Sequence, residues 1–247
     1  MLSLSFSSPL APTSRLLAIF LGVSASVSLF ALPGQAQISQ AVVQEIIDGN
    51  QVYIQEIPAK VDDKADFGQV VLTKESRASL AFNNGAAGRL GHNASVTVGQ
   101  CVEVQQGELL ISGPVNGCVA GITVAVKGTV YVLQKQDDKS GTVKVVEGTV
   151  QVTTADKPGE TVEVKAGEQI SILRGILGSV IPMTPEEIVA LLSGQLFSGF
   201  QIPVTPDGLL QSACSRLLPG LSCSTTGLPS YPVPSLPVPI SIPGLPF

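Results

Sequence analysis

The chain has 247 residues and a formal net charge of -5; 44% of it is hydrophobic and only 13% charged, with no Trp and eight Phe. Such a chain buries one sizeable core, packed by Val, Ile and Leu rather than by large aromatics. No stretch of clustered Lys and Arg stands out, which leaves the chain without the electrostatic footprint of a nucleic-acid binder.

Residues 1–36 read as an export signal. Arg15 is the only charge before Glu45, the apolar run Leu16 to Leu32 follows it, and Gly34-Gln35-Ala36 places small residues at both recognition positions of a signal peptidase. Cleavage is expected after Ala36; the alternative is an uncleaved anchor, because about 17 apolar residues lie at the short end of what spans a bilayer. No later stretch is apolar for long enough to span, so the expected location is periplasmic or cell-envelope associated, with no membrane span after cleavage.

Residues 37–59 hold two short apolar runs around Asp48-Gly49-Asn50 and predict an N-terminal β-hairpin, with Gly49 taking the positive φ of a tight turn and Asp48 a turn residue rather than an acid catalyst. Val61 to Phe67 carries Asp62, Asp63, Lys64 and Asp66 and reads as a solvated connection. Calcium there would need six or more oxygens around one point, which three nearby carboxylates do not establish.

Residues 60–175 form the main predicted domain. Ile122, Val124, Val126, Val130 and Val132 alternate, broken only by Gly128, which places them on one face of a pleated strand. The polar run Gln134 to Gly141 then predicts a turn, and Thr142 to Val152 a returning strand, so the pair reads as a hairpin. Between Val145 and Val146 the apolar phase slips by one, which a bulge or burial on both faces would absorb. Gly107, Gly128, Gly148 and Gly167 recur at intervals of 21, 20 and 19. A loose period of this kind suggests a β-roll or solenoid-like stack, with a twisted β-sandwich as the competing layout; glycines in such strands mark bends, bulges or close backbone approach.

The order and spacing of several segments across this domain carry a resemblance. Gly68-Gln69-Val70-Val71-Leu72-Thr73, Ser76-Arg77-Ala78-Ser79-Leu80-Ala81-Phe82, Asn84-Gly85 and Gly88-Arg89-Leu90-Gly91-His92-Asn93-Ala94-Ser95 resemble the first half of a FecR domain. Gly107-Glu108-Leu109-Leu110, Val126 to Val132, Val145 to Val150 and Lys165-Ala166-Gly167-Glu168-Gln169 resemble the second half. The resemblance implies a mainly β, extracytoplasmic domain that contacts another protein, with Gly85, Gly91, Gly107, Gly128, Gly148 and Gly167 as structural glycines. FecR-type regulators couple an outer-membrane transporter to a sigma factor through a cytoplasmic N-terminal segment. The residues ahead of the apolar run are too few for that segment, so only the exported β domain is carried over.

The four cysteines fall into two close pairs, Cys101 with Cys118 and Cys214 with Cys223, as expected of disulfides in an oxidising compartment. Free thiols and a metal site are the alternatives; neither pair has zinc-type spacing, and His92 is the single His.

After Arg174 the composition changes: residues 176–247 hold only four charges and twelve of the eighteen prolines. Residues 176–228 predict two short helices docked on the β domain or on each other. Thr184-Pro185-Glu186-Glu187 starts the first, with Ile188, Leu191 and Leu192 on one face and Gly194 as its end. Thr205-Pro206-Asp207 starts the second, which leads through Leu209, Leu210, Ala213 and Leu217 to Pro219-Gly220. Residues 229–247, PSYPVPSLPVPISIPGLPF, form a Pro-rich tail with no charge, compatible with polyproline II or disorder. Its apolar residues suggest contact with the domain surface or a partner.

Catalytic constellations are scarce. His92 is the one imidazole and lies in a predicted turn; Glu108, Glu147 and Glu168 read as solvent-facing strand-end residues; no phosphate loop or dinucleotide fingerprint is present. The expected function is non-catalytic, without cofactor: an extracytoplasmic protein-binding module in envelope signalling or regulation, its protein partner in the cell envelope. A structural envelope-associated protein is one alternative. A glycan-acting enzyme is the other, and it requires a pair of acidic residues in one pocket.

Overall fold

The computed structural model describes residues 37–154, 160–204 and 209–220. The expected export signal, the start of the second helix at Thr205, Cys223 and the Pro-rich tail lie outside the described residues. The strands β1 (Gln40–Ile47), β2 (Val52–Ile54), β3 (Ile57–Pro58), β4 (Lys64–Asp66), β5 (Val70–Thr73), β6 (Arg77–Phe82), β7 (Ala87–Leu90) and β8 (Ser95–Thr97) lead to the long β9 (Cys101–Gly113). Then come β10 (Asn116–Val119), β11 (Ile122–Val126), β12 (Thr129–Asp137), β13 (Ser140–Glu147), β14 (Thr149–Thr154), β15 (Thr161–Lys165), β16 (Glu168–Leu173) and β17 (Ile176–Pro182). Helices α1 (Pro185–Ser193) and α2 (Leu209–Leu217) follow.

The strands pair as two layers joined through β9. One layer runs β4-β1-β6-β7-β9-β12-β13-β16-β17, with every pairing antiparallel. The other runs β3-β2-β5-β8-β9-β10-β11-β14-β15, in which β9 and β10 are parallel. The first half of β9 pairs in the second layer and the half from Gly107 onward pairs in the first. At that crossing Gly107 has φ +75°, and a Cβ there would fall 2.8 Å from Asn93 O and Ala94 Cα, so the backbone passes where no side chain fits.

One core fills the space between the layers. Val43, Leu80, Leu109, Ile111, Leu133, Val143 and Ile170 enter it from the first layer, and Val52, Val71, Val96, Val104, Val124 and Val152 from the second. Each such aliphatic side chain contributes roughly 1.5–3 kcal/mol on burial. Tyr131 is the bulkiest fully buried side chain; its hydroxyl donates to Val115 O at 2.6 Å, and burial pushes the phenol pKa well up.

The strands β11 to β14 show how the chain builds both layers at once. β12 and β13 form the expected hairpin, but Gln134 to Asp137 and Ser140-Gly141 pair as strand, so its turn is only Asp138-Lys139, and the expected return strand breaks at Gly148. The flanking β11 and β14 pair with each other in the opposite layer. Gly128 and Gly148 sit at the two points where this long hairpin folds over. The expectation of a single apolar face from Ile122 to Val132 is therefore corrected. Ile122, Val124 and Val126 point into the core, whereas Val130 and Val132 lie on the far face of the first layer and Tyr131 and Leu133 take the core positions. The phase slip at Val145 and Val146 is a register shift opposite Val130 and Tyr131, and it buries both valines, one on each face.

Two other expectations change. Asp48-Gly49 does not close a hairpin: β1 pairs with β4 and β6 while β2 pairs with β3 and β5, so this turn is a corner between layers, and residues 37–59 belong to the common core. Val61 to Phe67 is not only a connection, because β4 pairs with β1. The β region also continues past residue 175, since β17 pairs with β16 as far as Pro182; its Gly178 and Pro182 disguise it in the sequence.

The far face of the first layer is covered. Leu110, Val130, Val132 and Val146 form a second core with Met183, Ile188, Leu192, Leu196, Val204, Ala213, Cys214 and Leu218. α1 is fixed by a capping box in which Thr184 accepts from Glu187 N and Glu187 accepts from Thr184 N, with Pro185 in the first turn. The second layer's outer face carries polar residues such as Glu103, Gln105, Gln151 and Glu163 to solvent.

Candidate binding surface

Alternation on β6 and β7 sends Ala78, Leu80 and Leu90 into the core and Arg77 and Arg89 to the covered face. There the two arginines hold the segment 195–202, which links α1 to Val204. Arg77 Nη1 donates to Ser198 O at 2.8 Å and to Gln195 O, while its Nε meets Asp48 Oδ2. Arg89 Nη1 donates to Leu196 O at 3.0 Å and Nη2 to Ile202 O at 2.8 Å. The Phe200 ring lies 4.3 Å from the Arg89 guanidinium and 5.4 Å from that of Arg77. From the other side Glu45 accepts from Gln201 N and Ile202 N.

The electrostatics follow this geometry. The Arg77 hydrogen bond, with His92 3.1 Å away on the same oxygen, holds Asp48 below the usual carboxylate range. Burial pushes the Arg89 guanidinium down to about 10, opposed by Glu45 and reinforced by Arg77, so it remains charged at neutral pH.

Glu108 and Glu187 line one pocket of about 240 Å³ together with Lys144. This corrects the expectation for Glu108, which is not a solvent-facing strand end: its two oxygens accept from Gln134 and Gln195 amides at 2.8 and 3.0 Å. Glu187 accepts from Thr184 N and from Gln169, and those hydrogen bonds lower its pKa. Glu147 likewise differs from expectation, being partly buried and 3.8 Å from Arg216 on α2. Glu168 accepts from Lys165 N. His92 is half-exposed in its turn, and its backbone N–H donates to Gln195 Oε1.

Cys101 and Cys118 are joined by a disulfide across β9 and β10, with a Cα–Cα separation of 5.7 Å. Cys214 is buried on α2 and is not a free thiol; Cys223 lies outside the described residues. Gly85 lies in the β6–β7 turn, Gly91 approaches the Gln195 side chain, Gly148 faces Thr129 and Gly167 faces Leu217. Among the described residues no group of three or more His, Cys, Asp or Glu is placed to hold a metal ion, and no helix is long and apolar enough to cross a membrane.

Large apolar side chains remain outside both cores in three places, one of them Ile202 on the segment after α1, which is 37% exposed. Ile57 and Phe67 are 69% and 58% exposed near β3 and β4. Leu173, Ile176 and Ile181 are 62%, 64% and 50% exposed on β16 and β17. Sheet edges are otherwise protected: β3 and β4 are very short and β15 carries the paired Glu163 and Lys165. β17 carries no charge, and an extra residue at Gly178 and Ser179 bends it opposite Ser171.

No family model and no curated protein matches this chain. Two crystal structures of a proposed anti-sigma factor from Parabacteroides distasonis are similar to it at 17% and 16% identity, each with a TM-score of 0.42. The alignments cover 59% and 60% of this chain and 72% and 73% of those chains. At that distance the likeness assigns neither a partner nor a reaction.

Arg77 and Arg89 were legible only as part of the FecR-like segments. Their acceptors are backbone carbonyls more than a hundred residues downstream, and a carbonyl leaves no mark in a sequence.

Proposed function

We propose that this chain is a non-catalytic, extracytoplasmic protein-binding module of the FecR type, acting in the periplasm or cell envelope. The observation that carries the reading is the β17 edge of the first layer, a strand without charge that leaves Ile176 and Ile181 in solvent, with Leu173 beside them on β16. The partner this surface fits is a folded envelope protein that presents an apolar patch. The Cys101–Cys118 bridge supports an oxidising compartment.

The carboxylates support binding over catalysis. A glycosidase acid needs a raised pKa, and Glu187 is lowered by the bonds that cap α1; both oxygens of Glu108 are engaged by glutamine amides. Photo-crosslinkers at Ile176 and Ile181, activated in intact envelopes, test the proposal by mass spectrometry. One protein should be captured from both positions and lost when Leu173 is replaced by Lys, with the melting temperature unchanged. Capture that survives Leu173→Lys, or is equal from Glu163 on β15, would refute the reading. Recovery of the mature chain in cytosolic fractions would refute its location.

A further inference from the structure

A groove of about 580 Å³ opens at one end of the first layer between Phe82, Ala87, Ser112, Ile202 and Val204, with Gln44 at its rim. None of its lining residues is charged. Two other pockets differ: one beside α1 holds Glu108, Lys144 and Glu187, and one beside β3 holds Asp63 and Lys64. An uncharged groove excludes occupants that rely on ion pairs, because their charges would lose water without gaining a partner. It suits a chain of apolar residues and prolines.

The chain carries one such segment. Residues 229–247 contain seven prolines, together with Val, Leu, Ile and Phe, and no charge. The sheet register shows that they start within reach. Leu217, at the end of α2, lies against Gly167, whose N–H donates to Val145 O. Val145 is opposite Tyr131, Val130 opposite Ser112, and Ser112 opposite Ala87. The end of α2 and the groove therefore stand at the same end of the layer, four strands apart, a distance of about 19 Å. The eight residues 221–228 reach about 27 Å when extended.

We propose that the tail, residues 229–247, folds back along this end of the layer and occupies the groove. Pre-set proline φ angles reduce the entropy lost on docking, and the floor of Ala81, Ala86 and Ala87 lets proline rings approach the sheet closely. The tail then shields the apolar side chain of Ile202, which the described residues leave 37% exposed.

The test uses the full chain, with a photo-crosslinker placed singly at Ile202, at Gln44 and, as a remote control, at Ile57, in an equal mixture of ¹⁴N- and ¹⁵N-labelled protein. Ile202 and Gln44 should cross-link to peptides from 229–247 within one chain, about tenfold more than Ile57 does, the ratio expected of a contact worth about 1.4 kcal/mol. Cross-links joining light to heavy chains would assign the groove to a second copy and overturn the proposal. So would equal tail capture from all three positions, or none.

Discussion

Arg89 lies with its guanidinium 4.3 Å from the Phe200 ring while two of its nitrogens donate to the carbonyls of Leu196 and Ile202. A strand residue of the first layer thereby fixes a segment more than a hundred positions later, and with it the surface around the groove. Replacing Arg89 by Ala leaves those carbonyls unpaired in a buried setting and should cost about 3 kcal/mol. That corresponds to a melting temperature roughly 6–12 °C lower. Arg89→Lys should not restore the loss, because one ammonium cannot reproduce the planar fork. Phe200→Leu should cost about 1 kcal/mol. Hydrogen exchange across 194–204 separates this from a general loss of stability: it should rise in every variant before β12 and β13 are affected.

Reduction of Cys101–Cys118, or the double replacement C101S/C118S, should lower stability by about 3 kcal/mol, since the bridge closes a loop of 17 residues. Chemical denaturation with and without reductant measures it. A midpoint that does not move would show that the β9–β10 pairing holds itself together.

Gly148 and Gly128 occupy equivalent fold-over points but differ in surroundings. Both have positive φ, +79° and +71°, yet a Cβ on Gly148 would fall 2.7 Å from Thr129 Cγ2, whereas one on Gly128 meets nothing within 4 Å. Gly128→Val should therefore carry only the backbone term, about 1–2 kcal/mol. Gly148→Val adds overpacking of about 1–3 kcal/mol. Equal melting temperatures for the two variants would contradict this assignment.

These contrasts mark what the sequence made legible. The β12–β13 hairpin and the α1 capping box were readable because each is written in neighbouring residues: a polar run around the Asp138-Lys139 turn, and Thr184 three positions before Glu187. The change of face at Gly128 was not, because alternation reads the same whichever layer a strand joins; only the pairing shows that Val126 and Val130 face different cores. The corner at Asp48-Gly49 misled for a related reason, since a tight turn has the same residues whether the strands after it pair or part. Glu108 looked exposed because its partners, Gln134 and Gln195, come together only in the folded chain.

Acid should loosen the covered face of the first layer before the core between the layers. Asp48 is held low by the Arg77 hydrogen bond and His92, and Glu187 by Thr184 N and Gln169. A carboxylate whose folded pKa is depressed contributes stability that is fully present above its unfolded value, about 3.9 for Asp and 4.3 for Glu, and loses it as pH falls through the folded value. The melting temperature should thus be flat from pH 7 to about 5 and fall increasingly below about 4. Asp48→Asn with Glu187→Gln should melt lower than the parent at pH 7 yet fall less steeply on acidification, because two of the groups that protonate are gone. Paired melting curves at pH 7, 5, 4 and 3 decide it. Parallel slopes for parent and variant would show that acid acts elsewhere, with Asp137, lowered by Ser140 and the Lys139 backbone, as the next group to test.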